Sequence, residues 1–199
     1  MADHYYSEQP HSEFITETWS YSLKGHPFTF TSGTGVFSKG KVDFGSALLV
    51  ETFKEPDIEG DFLDLGCGYG PIGISLAYEY TNRHVVMVDV NERAVELTKM
   101  NANQNNVSNV TVIQRDGLSK LDQQATFAAI VMNPPIRIGK QKVYSFFEQC
   151  KSALAPSGEL WIVIQKKQGA PSAIKYLSSL FHQVDIINRK KGYFIILAK

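Results

Sequence analysis

Residues 61–73 read Asp61-Phe62-Leu63-Asp64-Leu65-Gly66-Cys67-Gly68-Tyr69-Gly70-Pro71-Ile72-Gly73. A short apolar run, alternating glycines and an apolar stretch follow one another with no spacer. This is the pattern of a β-strand that enters a helix through a glycine turn. Glycine lets the backbone turn sharply and approach a bound group with no side chain between them. One glycine would suit a plain strand–helix connection. Three in alternation point to a ligand.

The same alternation continues on both sides. Downstream, Ile72 to Glu79 reads as a helix and His84 to Asp89 as a Val-rich strand. Asn91 to Asn105 reads as a helix with Asn91 as N-cap, since its side chain can accept a free backbone N–H. Val110 to Gln114 and Phe127 to Met132 read as strands. Val143 to Leu154 reads as a helix closed by Pro156 and Gly158. Glu159 to Gln165 is a strand and Ser172 to Phe181 a helix. Val184 to Asn188 and Tyr193 to Ala198 are strands joined by a tight turn. Upstream, Thr18 to Leu23 and Pro27 to Thr31 form a hairpin around Lys24-Gly25-His26. Ser32 to Gly40 is a loop, and Ser46 to Phe53 a helix that begins near Ser46.

Alternating strands and helices with continuous apolar strands predict a parallel sheet covered on both faces. The last connection is too short for a helical crossover, so the final strand runs antiparallel. The expected fold is α/β: a doubly wound, seven-stranded, mostly parallel sheet with an N-terminal hairpin extension. The expected organisation is one domain, with an extension over 1–44 and the core over 45–199. Residues 1–17 read as a loose polar start. A doubly wound sheet binds its ligand outside the carboxyl ends of its strands.

The 199 residues, 43% hydrophobic and 20% charged, suit one globular domain. No apolar run approaches a bilayer span, and the start has no secretory pattern. Cys67 and Cys150 lie far apart without a CxxC partner, which argues against a disulfide framework or a zinc site. The expectation is a cytoplasmic protein with no membrane partner and no metal. Net charge is zero, but residues 133–199 hold 11 Lys+Arg against 3 Asp+Glu. Such asymmetry fits either a polyanion-binding face or solvated surface charge.

Two cofactor readings fit the glycine loop. Gly68, Gly70 and Gly73 satisfy a dinucleotide fingerprint, and Asp89 follows at the spacing of a ribose-binding acid. Asp64 separates the two. A carboxylate at this strand end repels a pyrophosphate, but it suits the cationic amino-acid portion of S-adenosylmethionine, directly or through water. Asp89 can accept both ribose hydroxyls. Asp116-Gly117, beyond the third strand, can accept from an adenine amine. A P-loop is excluded, because no Gly-Lys-Ser/Thr follows.

After the fourth strand comes Asn133-Pro134-Pro135-Ile136. Two prolines fix the backbone and remove two N–H donors. The Pro134 carbonyl and the Asn133 amide oxygen can then accept two hydrogen bonds from one NH₂ group. The lone pair of such an amine is delocalised. Accepting both hydrogens favours a pyramidal nitrogen able to attack a sulfonium methyl in line. Positioning and fixed dipoles would supply most of the rate.

Together, Asp64-Leu-Gly-Cys-Gly-Tyr-Gly and Asn133-Pro-Pro-Ile resemble the class I, Rossmann-like methyltransferases that act on amines. The stretch from Phe28 through Gly35-Val-Phe-Ser-Lys-Gly-Lys-Val-Asp-Phe-Gly-Ser46 resembles more narrowly the small-subunit ribosomal RNA guanine-N2 methyltransferases and their single-domain relatives. The resemblance implies that Gly66, Gly68, Asp89 and Asp116 bind the cofactor and that Asn133 and Pro134 hold the target amine. It also puts Phe37, Lys41 and Asp43 beside the cofactor or a flipped base. The full candidate set adds Asp64, Cys67, Gly70, Asn91, Gly117 and Asn133 to the cofactor contacts, and Pro135 and Ile136 to the catalytic ones. Ile136 stands where many relatives carry a stacking aromatic, so stacking falls to Phe37 or Tyr193. Larger relatives also carry a second, degenerate half.

Three basic clusters fall on the carboxyl edge by topology: Arg137 with Lys140, Lys166 with Lys167, and Arg189-Lys190-Lys191 in the last turn. Phosphate contacts there would give affinity without sequence information. The expected partner is RNA, ribosomal small-subunit RNA or its assembly particle, with the target base unpaired or flipped out. Adenine N6 and a protein glutamine amide remain as alternative amines. A non-catalytic RNA-binding protein is a further alternative, which the intact Asn133-Pro134-Pro135 opposes. A nicotinamide enzyme would leave that tripeptide unexplained.

Overall fold

The computed structural model describes residues 13–118 and 126–199. The polar start read for residues 1–17 lies outside the described residues up to residue 12. Thr16–Leu23 (β1) and His26–Gly33 (β2) pair antiparallel. Lys24 and Gly25 turn between them with φ of 49° and 78°. Left-handed backbone at both central residues is what a two-residue hairpin turn of type I′ requires.

The next elements are Phe44–Thr52 (α1), Asp61–Leu65 (β3), Pro71–Glu79 (α2), Val85–Asp89 (β4) and Glu92–Gln104 (α3). Then follow Val110–Gln114 (β5), Phe127–Met132 (β6), Lys140–Ala153 (α4) and Leu154–Gln165 (β7). Ala170–Leu180 (α5), Val184–Lys190 (β8) and Tyr193–Ala198 (β9) complete the chain. The sheet order is β5-β4-β3-β6-β7-β9-β8. β3 to β7 pair parallel, and β9 inserts antiparallel between β7 and β8. The doubly wound sheet with one reversed strand is therefore the observed fold.

Side chains alternate across each strand, so each face builds its own core. Phe62, Ala129, Val131, Trp161 and Val163 pack with α1, α2 and the hairpin. Leu63, Ile130, Met132, Ile162 and Ile164 pack with α4 and α5. β6 is buried along its whole length, as a central strand covered on both faces must be. Phe53 is fully buried, with the rings of Phe62, Tyr80 and Trp161 at 5.5, 5.8 and 5.3 Å. Truncating such a residue to Ala costs about 3–5 kcal/mol.

α3 carries the hairpin through side-chain amides. Asn105 accepts from the Thr29 N–H at 2.9 Å and donates to its carbonyl at 2.8 Å. One turn earlier, Asn101 does the same for Thr31 at 2.8 and 2.8 Å. The two amides act as a surrogate strand along β2. Asn101 also donates to the Tyr69 carbonyl at 2.8 Å, which ties the hairpin to the glycine loop.

Three sequence expectations are corrected. α1 starts at Phe44, because Asp43 is its cap and accepts from the Ser46 N–H at 3.1 Å. α4 ends at Ala153, and Pro156 and Gly158 lie inside β7. The pairing of β7 with β6 jumps there from Leu154 to Glu159, so an irregular strand start absorbs the two helix breakers. Arg189 and Lys190 belong to β8, and the tight turn is Lys191-Gly192.

Candidate active site

One cavity opens at the carboxyl edge of the sheet, where β3, β4, β5 and β6 end. Its glycine wall has two different causes. Gly66 and Gly68 have φ of 77° and 60°, and a Cβ on either would meet no atom within 4 Å. Their backbone is bare toward open space. A Cβ on Gly70 would strike Ile74 Cδ1 at 2.6 Å, and one on Gly73 would strike Met87 Cε at 2.6 Å. Those two glycines serve the close packing of α2.

Asp64 is fully buried behind this loop and is not on the cavity wall. Its Oδ2 accepts from the Gly73 N–H at 2.8 Å, while Oδ1 has no partner. Burial, with a smaller push from Asp89, raises its carboxyl to about 7 against the pull of the Gly73 N–H. Of the two contacts expected of Asp64, direct or through water, this position behind the loop does not favour the direct one.

Asp89 does reach the cavity. Its Oδ2 accepts from the Gly68 N–H at 2.8 Å and its Oδ1 from the Asn91 N–H at 2.9 Å. Burial raises its carboxyl to about 6, opposed by these backbone donors. Asn91 itself is buried off the wall. It caps α3 by accepting from the Ala94 N–H at 3.2 Å and donates to the Gly35 carbonyl at 2.8 Å. Thr98 donates to the Gly68 carbonyl at 2.8 Å. Cys67 lines the cavity, but burial and the two nearby acids push its thiol well up, so it stays neutral.

Beyond β5 the cavity meets Arg115, Asp116 and Gly117. Asp116 is exposed and paired with Lys142 at 2.7 Å. Arg115 was not anticipated from the sequence, yet its Nη1 is buried without a partner. Its place at a strand's carboxyl end was the available signal.

Asn133, Pro134 and Pro135 form the far wall. The Asn133 Nδ2 donates to Asp43 Oδ2 at 3.1 Å and to Ser46 Oγ at 3.0 Å. Both bonds hold the amide nitrogen against the start of α1, so Oδ1 faces the other way. No described residue donates to Asn133 Oδ1 or to the Pro134 carbonyl. Ser46 was read only as a helix start; it also forms part of this wall.

Phe37 is on the wall and exposed. Lys41, Tyr193 and Ile136 are not on it. Ile136 instead packs against the α4–α5 core, and Lys41 is exposed while its carbonyl accepts from Tyr69 Oη at 2.8 Å. Tyr193 stands beside the mouth, its ring 5.5 Å from that of Phe44.

The basic residues lie where topology puts them. Lys166 donates through its backbone to the Gly192 carbonyl at 2.7 Å, and Tyr193 is paired with both Gln165 and Lys190. The Lys166-Lys167 and Arg189–Lys191 groups thus adjoin. The Lys191 ammonium sits over the Phe44 ring at 4.8 Å, next to Asp43. Arg137 and Lys140 are exposed just after Pro135. Among the described residues no cluster of His, Cys, Asp or Glu is placed to hold a metal ion, and no helix is long and apolar enough to cross a membrane.

Comparison with known proteins identifies the family. The methyltransferase small domain family model matches residues 27–197. The Bacillus subtilis (strain 168) protein YbxB is 56% identical over 199 residues, covering 100% of this chain and 99% of its own length. Ribosomal RNA small subunit methyltransferase C of Stutzerimonas stutzeri (strain A1501) is 34% identical over 77% of this chain and 46% of its own length. Among solved structures, the T. thermophilus 16S rRNA N2 G1207 methyltransferase, in complex with AdoMet and guanosine, superposes with a TM-score of 0.82. It is 26% identical and covers 96% of this chain and 52% of that one. The chain therefore spans about half the length of the ribosomal RNA methyltransferases it matches. With the glycine loop, the acid at the end of β4 and the sheet order, these matches place the chain in the methyltransferase small domain family, as a class I methyltransferase that uses S-adenosylmethionine.

Proposed function

We propose that this chain methylates guanine N2 in RNA, with small-subunit ribosomal RNA as the substrate class. The observation that carries the reading is the Asn133 amide. Its nitrogen is fixed by Asp43 and Ser46, and its oxygen is left bare beside Pro134 on the wall of the cavity.

The donor set fits S-adenosylmethionine. Gly66 and Gly68 offer open backbone that a Cβ would fill. Asp89 holds the loop and presents a carboxylate to ribose hydroxyls, while Asp116, Gly117 and Arg115 frame the space for adenine. Asp64, with one unpartnered buried oxygen, supplies negative potential behind the loop for the cationic amino-acid end. When bound, S-adenosylmethionine supplies an electrophilic methyl on a sulfonium. Asn133 Oδ1 and the Pro134 carbonyl accept the two amine hydrogens and turn the nitrogen lone pair toward that methyl. With the cofactor held on this wall, transfer would form the N–C bond as the C–S bond breaks, and the surplus amine proton would leave to water while Asn133 and Pro134 hold the nitrogen. No strong base is required, because the nitrogen becomes acidic once it is alkylated. The residues act by positioning and by preorganised dipoles.

The rim of Arg137, Lys140, Lys166, Lys167, Arg189, Lys190 and Lys191 would hold phosphates around an unpaired or flipped base. Phe37 is an exposed aromatic on the cavity wall, placed to stack on it. The test is nucleoside analysis of RNA from cells lacking the protein, after incubation with purified protein and labelled S-adenosylmethionine. Label in N2-methylguanosine is expected; label in N6-methyladenosine, or none in RNA, would overturn the reading.

A further inference from the structure

Asp43 and Asn133 form a joined pair on one cavity wall. Asp43 Oδ2 takes both of its hydrogen bonds, from the Ser46 N–H at 3.1 Å and from Asn133 Nδ2 at 3.1 Å. No described residue donates to Oδ1. The wall therefore carries two acceptors, Asp43 Oδ1 and Asn133 Oδ1, on residues joined by a hydrogen bond, and the Asn133 nitrogen is already committed to Asp43 and Ser46. The position is rigid. Asp43 is locked as the cap of α1, and the ring of Tyr193 packs so closely on Gly45 that a Cβ there would meet it at 2.8 Å.

We propose that Asp43 is the specificity-determining residue of this site, accepting the ring N1–H of guanine while Asn133 accepts from the adjacent amine. This rests on the guanine reading above and explains its selectivity. Guanine presents an amine beside a ring N–H, two donors in a row. Adenine presents its amine beside a bare N1, and cytosine beside a bare N3. A glutamine amide presents its NH₂ beside a carbonyl oxygen. Each of those three sets a lone pair against the Asp43 carboxylate. An acceptor facing an acceptor in the closed complex loses a hydrogen bond and adds repulsion, which sets selectivity at about tenfold to hundredfold or more.

The test uses Asp43→Asn. The new amide oxygen can keep both bonds that Oδ2 now accepts, so the cap and the Asn133 orientation persist. Its NH₂ then replaces Oδ1 and turns an acceptor into a donor. The probes are single-stranded RNA oligonucleotides with one purine, either guanosine or 2-aminopurine riboside. The latter keeps the amine but has a bare N1. Single-turnover methyl transfer is measured for both proteins. Wild type should prefer guanosine by about tenfold or more, and Asp43→Asn should erase or reverse that preference. Comparing the two proteins cancels the intrinsic reactivity of the two amines. Ser46→Ala serves as the structural control: it should slow both probes and leave their ratio unchanged. Equal ratios for wild type and Asp43→Asn would overturn the role of Asp43 while leaving the guanine reading intact. So would an Asp43→Asn variant slowed equally on both probes. If wild type instead methylates an otherwise identical adenosine oligonucleotide, or no oligonucleotide at all, the guanine reading itself falls.

Discussion

Asn133 and Asp43 lie 90 residues apart in sequence, yet their side chains share a 3.1 Å hydrogen bond at the cavity wall. The bond joins the end of β6 to the start of α1 and fixes which atom of the Asn133 amide faces the cavity. Asn133→Ala removes the acceptor and leaves the glycine loop untouched. Turnover should fall by about 10²-fold or more. Cofactor affinity, read by calorimetry, should stay within a few fold. A large loss of cofactor affinity would contradict the assigned role.

The loop glycines make a separable prediction. Gly68→Ala meets no atom, but it places a Cβ in the space assigned to the cofactor at a φ of 60°. The backbone cost is about 1–2 kcal/mol. Cofactor binding should weaken by more than that strain explains, as should binding to Asp89→Ala. Unchanged affinity in both variants would remove the cofactor from this wall.

The two acids next to the loop, Asp64 behind it and Asp89 on the cavity wall, predict a pH dependence. Burial first of all raises Asp64 to about 7 and Asp89 to about 6, from an ordinary carboxylate value of 3.8. The folded state therefore binds more protons than the unfolded one between those values. Their contribution to stability is fully present below pH 3.8 and is lost as pH rises through 6 and 7. Asp64→Asn keeps an acceptor for the Gly73 N–H and cannot ionise. The melting temperature of the cofactor-free protein should fall less steeply between pH 5 and 8 for Asp64→Asn than for wild type, scanned at roughly half-unit steps. Parallel curves would show that burial of this carboxyl is not felt. Cofactor affinity should rise over the same window, because the ionised acids suit a cation and hydroxyl donors.

The rim predicts a salt effect. Lys190→Glu with Lys191→Glu should weaken RNA binding and flatten its dependence on salt, by about one unit of log–log slope per lost phosphate contact. Wild-type affinity and slope would show that RNA approaches elsewhere.

The inner strands were legible in the sequence because they are buried on both faces, whereas the edge strand β5 is only partly covered. β3, β5, β6 and β9 match their apolar runs residue for residue. Helix ends were less legible. α4 begins at Lys140, where Gly139 at φ 99° sets the start and the first turn carries no apolar signal. The glycine loop, Asp89 and Asn133-Pro134-Pro135 were legible as strand-end residues, since topology alone gathers those ends on one edge. The position of Asp64 was not, because charge says what a residue suits and not which way its strand faces. Ile136 was misplaced for a similar reason: a short 3₁₀ turn over Ile136–Ile138 carries it toward the α4–α5 core. The Asp43–Asn133 bond and the Asn101 and Asn105 amides along β2 are long-range pairings, which no local pattern records.

Methyl transfer to guanine N2 in ribosomal RNA is the activity proposed for this site. Its most direct test is nucleoside mass spectrometry of small-subunit ribosomal RNA from cells with and without this protein. Loss of N2-methylguanosine in its absence, restored by wild type and not by Asn133→Ala, is the expected result. An unchanged N2-methylguanosine level, or restoration by Asn133→Ala, would contradict it.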